Sequence, residues 1–327
     1  MDFENKYVRQ NRAAHVDTER IEAGNFVAAR VQPAQVAPAA TLRELLPSTG
    51  FLNHIAHRPS PPRKSAGATG ADCVSFGPMT SPAPALHAFA ISHYCEKARW
   101  ALDHFGIAYR LQHVVPGLNR VIAKRLGATA GSLPFLATPA GVIAGSGAII
   151  DWGEGRRAPG RASLAGADPA EVLALEGRLD QVAGVHIRRY YYSDALLSDP
   201  ASVCPIFSRD LALLPRLAVT FGWGKIVPKM IAGMDLGPAQ GAQSRERLLG
   251  ELDWLDGLLG DGRAYLAGDS FTRADLTAAS LLAPLVNPPQ HPTYAGLAMP
   301  PALQEDIARW RARPALQWVS RVYASNR

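Results

Sequence analysis

Between Leu86 and Glu154 the sequence changes its apolar period several times, and the order of those changes constrains the fold more than any other feature. "LHAFAI" alternates as a strand, Tyr94 to Phe105 carries helical spacing, and "AYRLQHVV" is strand-like again, so a β-α-β unit follows. Leu118 to Leu126 then reads as a helix. "LPFLA" and "GVIAG" read as two short strands separated by a Thr-Pro-Ala turn, and "SGAIIDWGE" opens another helix.

Past a linker rich in Gly, Pro and Arg, "GEGRRAPGRASLAGA", every remaining element reads as helical. Asp168-Pro169-Ala170-Glu171 is a helix start, with Asp as the cap, Pro in the first helical position and Glu reaching back from the third. Val172, Leu175, Leu179 and Val182 give this helix one apolar face. Leu248, Leu252, Leu255 and Leu259 do the same later, with Glu251 and Asp256 turned outward. In "FTRADLTAASLLAPL" Thr272 caps, Asp275 answers from the third position, and Phe271 is set to staple against Leu276. That helix is apolar nearly all round, which predicts a central element that builds the fold and touches no ligand.

Residues 1–84 read differently. Aromatics are sparse, Pro and Ala are frequent, and no apolar period is sustained, so a mostly disordered extension is expected. It lacks a secretory apolar region, and Asp2, Glu4, Asp17, Glu19 and Glu22 sit poorly with a transit peptide. Only "TLRELL" has helical character there. Met79 immediately precedes the ordered pattern, and one expectation is that translation natively begins at it.

A chain of 327 residues with 47% hydrophobic content has room for two ordinary domains with length left over. Cysteine occurs only at Cys73, Cys95 and Cys204, with no Cys-x-x-Cys and no His pair at zinc spacing, which argues for a reducing compartment and no metal. The most apolar segment, Leu211 to Met234, is broken by Pro215, Arg216, Lys225, Pro228 and Lys229, so no membrane partner is expected. The net charge of +6 is modest, and no Lys/Arg run is interleaved with aromatics as on nucleic-acid surfaces. An anionic small ligand suits that balance equally well.

The stretch "AISHYCEKARWAL" sets Ser92 and Cys95 where a redox protein carries two cysteines. Ser-x-x-Cys after the first strand, Leu-Pro before the third, Gly-Ser opening the last helix of the unit, and an all-helical second half together resemble the cytosolic glutathione S-transferase family, in its serine-type, bacterial-like form. The resemblance implies an α/β thioredoxin-like N-terminal domain over residues 85–157, followed by an all-α helical domain over 168–327. It covers the chain from Leu86 onward.

The roles that follow are those the resemblance implies. Ser92, at the N-terminus of the first helix, would donate its hydroxyl to the sulfur of glutathione, where helix dipole and hydroxyl both favour thiolate. The thiol is then borrowed from the co-substrate, and Cys95 is a small core residue. Leu133 and Pro134 resemble the family's cis-proline turn, whose backbone pairs with the cysteinyl part of glutathione. Gly145 and Ser146 resemble the Glu/Gln-Ser pair that holds the γ-glutamyl carboxylate, with glycine departing from the pattern. His93 stands where relatives often carry proline; it is a candidate to tune the thiolate or meet the electrophile, although an exposed histidine without a role is the expectation. Lys124 and Arg125 are read as a solvated basic face.

For the second substrate, "HIRRYYYSDAL" lies where the family places pocket residues, so Tyr190, Tyr191 and Tyr192 are candidates for an aromatic wall. Trp223 and Met230 are further apolar candidates. The implied function is a cytoplasmic, homodimeric enzyme that activates glutathione for attack on a small, apolar electrophile in detoxification or a related isomerase, dehalogenase or etherase step. The alternative is a non-catalytic module on the same fold.

Overall fold

The structure, a computed structural model, describes residues 83–128, 130–294 and 301–327. The extension expected over 1–84, "TLRELL" and Met79 lie outside the described residues, save for residues 83 and 84.

The described chain runs β1 (Ala85–Ala88), α1 (His93–His104), β2 (Arg110–His113), α2 (Asn119–Leu126), β3 (Phe135–Thr138), β4 (Gly141–Ala144) and α3 (Ser146–Glu154). Helices alone follow: α4 (Pro169–Gln181), α5 (Ala183–Ser198), α6 (Pro200–Ser208), α7 (Leu213–Met234), α8 (Pro238–Leu258), α9 (Arg273–Val286), α10 (Pro301–Trp310) and α11 (Pro314–Asn326). The fold is a thioredoxin-like α/β domain followed by an all-helical domain.

The sheet order is β2-β1-β3-β4, with β1 parallel to β2 and the other pairs antiparallel. A parallel pair needs a crossover, and α1 supplies it. Leu86 of β1 stands opposite Leu136 of β3, and both are buried with Ala98 and Leu102 of α1 and Ile149 of α3 in one cluster. Two helices thus cover one face of the sheet.

In the second domain α9 is the axis. Its residues from Arg273 to Leu285 are buried, and it packs on α1, α4, α5 and α11. Its start carries the expected capping box of Thr272 and Asp275. Phe271 stacks on Trp100 of α1, with ring centroids 5.8 Å apart. At α4 the Asp168 side chain accepts from the N–H groups of Ala170 and Glu171, whereas Glu171 itself is exposed.

Two expectations for α8 are corrected. Glu251 is not turned outward: it is 2% exposed and accepts from Arg178 of α4 at 2.9 Å. Asp256 is half-buried and caps α11 by accepting from the Ala315 N–H at 2.7 Å. An acid beside an apolar stripe goes inward when a neighbouring helix brings a guanidinium or a free N–H to meet it. The interrupted apolar segment from Leu211 to Met234 forms one 22-residue helix, α7, over Leu213–Met234. Pro215 falls in its first turn, where N–H groups have no partner within the helix. Leu213, Leu214, Leu217 and Phe221 are exposed on α7. Among the described residues no helix is long and apolar enough to cross a membrane.

Candidate functional site

The strand register gathers three short segments at one end of the sheet. His87 near the end of β1 pairs with Phe135 at the start of β3, and Phe135 pairs with Ala144 at the end of β4. The loop into Ser92, the turn at Leu133-Pro134 and the junction at Gly145-Ser146 therefore leave the sheet from the same edge.

Ser92 is the N-cap of α1, and its Oγ accepts from the Cys95 N–H at 3.3 Å. No nitrogen or oxygen accepts its own O–H among the described residues. Cys95 lies in the core at 1% exposure, and burial pushes its thiol up to about 11, against a smaller opposing pull from the Ser92 hydroxyl. It is a protonated core residue at neutral pH.

The Leu133-Pro134 peptide is cis. Neither the N–H nor the C=O of Leu133 has a hydrogen-bond partner among the described residues. Gly145 is the N-cap of α3, with φ 94° and ψ 146°, and its N–H donates to the Pro134 carbonyl at 2.9 Å. That φ is strained for any residue with a Cβ, which gives glycine a backbone reason to stand where relatives carry an acid or amide. Ser146, buried, is the first residue of α3, and its hydroxyl makes no hydrogen bond among the described residues.

Beside this edge lies a small cleft, part of it open to solvent. Ile91 and His93, which flank Ser92 in the chain, form one side, and Ile187, Arg188, Tyr191 and Tyr192 of α5 form another. Pro284 of α9 and Tyr294 close it. Gly184 sets the distance between the two sides. Its carbonyl accepts from His93 Nε2 at 2.9 Å, and a Cβ on it would collide with the Tyr94 hydroxyl.

Among the sequence candidates, His93, Tyr191 and Tyr192 line this cleft, and Tyr190, Trp223 and Met230 do not. Successive residues on a helix point about 100° apart, so three tyrosines in a row cannot share a wall. Tyr190 turns away and donates to Asp306 of α10. The Trp223 Nε1–H donates to the Pro200 carbonyl at 2.6 Å, and its ring tilts against Phe207, so it fastens α7 to α6. Sequence reasoning passed over Arg188, Pro284 and Tyr294. Positions 187, 188, 191 and 192 recur at helical spacing, a signal that was present in "HIRRYYYSDAL".

His93 is buried, not exposed as expected, because it plugs the gap between α1 and α5. A carbonyl can only accept, so Nε2 carries the proton. Burial, aided by the Arg188 charge, lowers its pKa to about 3. His291 also falls to about 3 through burial; its Nδ1 accepts from the N–H groups of Thr293 and Tyr294, each at 3.1 Å. His93 thus carries no charge that could tune a thiolate at neutral pH.

The sign of the resulting pH dependence follows. Unfolded histidine takes up a proton below about 6.5, whereas these two stay neutral to about 3, so stability is full above 6.5 and is lost as pH falls through that window. At pH 5 each should cost about 2 kcal/mol relative to pH 7.5. Chemical denaturation at the two pH values checks it. His93→Gln, which keeps a donor for Gly184, should remove roughly half of the loss; an unchanged loss would locate the effect elsewhere.

Comparison with known proteins bears on this arrangement. A family model described as the N-terminal domain of glutathione S-transferase matches residues 86–160, and one described as the C-terminal domain matches residues 238–321. Helices α4 to α7 lie between the two matched ranges. Among solved structures, glutathione transferase GSTFuA3 from Phanerochaete chrysosporium superposes with a TM-score of 0.52 at 18% identity, over 76% of this chain and 98% of that one. The glutathione S-transferase CsGST63524 of Ceriporiopsis subvermispora, solved in complex with glutathione, gives 0.50 at 17% identity, over 75% and 97%. No curated protein matches the chain. The sheet domain and the closing helices are thus each matched by the corresponding domain model of the glutathione S-transferase family, and the fold is the one these transferases share.

Proposed function

We propose that this protein is a glutathione transferase, a cytoplasmic homodimer that activates the thiol of glutathione for attack on a small electrophile with apolar character. The reading is carried by one observation: the Ser92 hydroxyl, whose O–H no nitrogen or oxygen accepts, and the Leu133 backbone groups and Ser146 hydroxyl, which have no hydrogen-bond partner among the described residues, converge at one end of the sheet. Unmet polar groups gathered at one site are a place for a polar ligand.

Each group has a part in holding glutathione. Leu133 pairs its N–H and C=O with the cysteinyl backbone, as an added strand would. Ser146 and the free N–H groups opening α3 take the γ-glutamyl carboxylate, which the helix dipole also favours. Ser92 donates its hydroxyl to sulfur at the start of α1, stabilising thiolate over thiol. The thiolate then forms a C–S bond at the electrophilic carbon; the leaving group departs with its bonding pair, and the thiol proton goes to solvent. The cleft beside Ile91 and His93 receives the electrophile against its tyrosine rings. Cys95, buried and protonated, is not the nucleophile.

Calorimetric titration with glutathione, with the bound-thiolate absorbance followed against pH, tests the reading. Saturable binding is expected, with the thiol pKa depressed below its free value of about 8.5 and restored in Ser92→Ala. Ser146→Ala should weaken binding roughly tenfold. Absence of binding at millimolar glutathione would favour the second reading, a non-catalytic module on the same fold. That reading has its own support in Gly145, which brings no side chain to meet the γ-glutamyl ammonium.

A further inference from the structure

We propose that the cleft beside the start of α1 selects an electrophile bearing a carboxylate or comparable anionic group, which the Arg188 guanidinium binds. The proposal rests on the transferase reading of this cleft as the acceptor site, and it replaces a purely apolar second substrate with one that is aromatic or aliphatic at one end and anionic at the other.

Arg188 is the one residue among those lining the cleft that is charged at neutral pH, and no Asp or Glu lines it. Its Nε is shut off from solvent and has no hydrogen-bond partner. Among the described residues Arg188 makes no ion pair and no hydrogen bond, whereas Arg189 of α5 pairs with Asp235 and Arg178 of α4 with Glu251. A guanidinium offers five N–H donors, and leaving a buried one unmet costs free energy that a ligand can recover. The Arg188 charge is felt by His93, Tyr94 and Tyr192, which places it against the wall that flanks Ser92.

The rest of the cleft fits the same ligand. Ile91, Ile187 and Pro284 give apolar surface. The hydroxyls of Tyr191 and Tyr192 take no hydrogen bond among the described residues, and burial holds both as O–H donors at neutral pH. A carboxylate would accept two parallel N–H bonds from the guanidinium and one from a phenol. Glutathione's own carboxylates are a less fitting occupant, because none of Leu133, Pro134, Gly145 and Ser146 lines this cleft.

The test uses an unreactive pair, 3-phenylpropanoate and its methyl ester, titrated calorimetrically into the full chain, with glutathione titrated separately. Wild type should bind the acid roughly tenfold or more tightly than the ester, and Arg188→Gln should bring the two within about twofold while glutathione affinity stays unchanged. Arg188→Lys, which keeps the charge but not the fork, should retain part of the preference and serves as the folding control. Equal binding of acid and ester by wild type, no binding of either, or a preference that survives Arg188→Gln would overturn the proposal. So would a loss of glutathione affinity in Arg188→Gln, which would assign the guanidinium to the co-substrate. If wild type prefers the acid but does not bind glutathione, the anion site stands and the transferase reading falls.

Discussion

Lys97→Met is expected to lower the unfolding free energy by about 3 to 5 kcal/mol, the range for removing one partner from a buried ion pair. Lys97, on α1, has no solvent exposure; its Nζ lies 2.8 Å from Glu176 and 2.7 Å from Asp180, both on α4. Glu176 has a second cation, Arg273 of α9, at 2.7 Å, and Arg273 continues to Asp151 of α3. The variant would leave Asp180 without a cation and Glu176 with one. Burial already pushes the Asp180 carboxyl above the usual range, with Lys97 as the main opposing influence. Adding Asp180→Asn should therefore recover part of the loss, since it removes the anion that the first change orphans. Urea midpoints at constant slope would measure both. A loss below about 1 kcal/mol would mean that water substitutes for the lysine, as it does at exposed pairs.

That cluster also marks a limit of what sequence reveals. Strand and helix order between Leu86 and Glu154 is legible because apolar period depends on local geometry, and the caps at Asp168 and Thr272 are legible because their partners lie two or three residues away. Long-range electrostatics is not legible in this way. Glu251 finds Arg178, Lys97 finds Glu176, and Tyr190 finds Asp306, each through helix packing that no window of the sequence contains.

The candidate site divides along the same line. Ser92 and Ser146 were readable as helix starts and Leu133-Pro134 as a turn, because each signal is local. Arg188 was not, because a cation on a helix reads as solvated until the element opposite it is known. Nor was the burial of His93, which depends on Gly184 allowing α5 close to α1.

Asp275→Ala should cost about 3 to 5 kcal/mol, the sum of a lost cap and of buried donors left unmet. The carboxylate is fully buried and accepts three hydrogen bonds at 2.7 Å: one oxygen from the Leu266 N–H, the other from the N–H and the hydroxyl of Thr272. Truncation strands all three donors at the start of the helix on which the second domain is built. Burial nonetheless holds the Asp275 carboxyl above its usual pKa range, so the charge itself is a burden that its hydrogen bonds do not fully offset. Asp275→Asn separates the two effects. It removes the charge, keeps one acceptor oxygen, and turns an NH2 toward donors it cannot serve, so its loss should lie between wild type and Asp275→Ala. Were Asn as costly as Ala, acceptor geometry alone would account for the box. Were it neutral, the charge and the lost acceptor would balance. Because α9 contributes Pro284 to the cleft and packs on both α1 and α5, the same variants titrated with 3-phenylpropanoate should lose affinity in the order of their stability losses. An Asp275→Ala protein that is folded at low temperature yet binds normally would show that α1 and α5 hold the cleft without the cap.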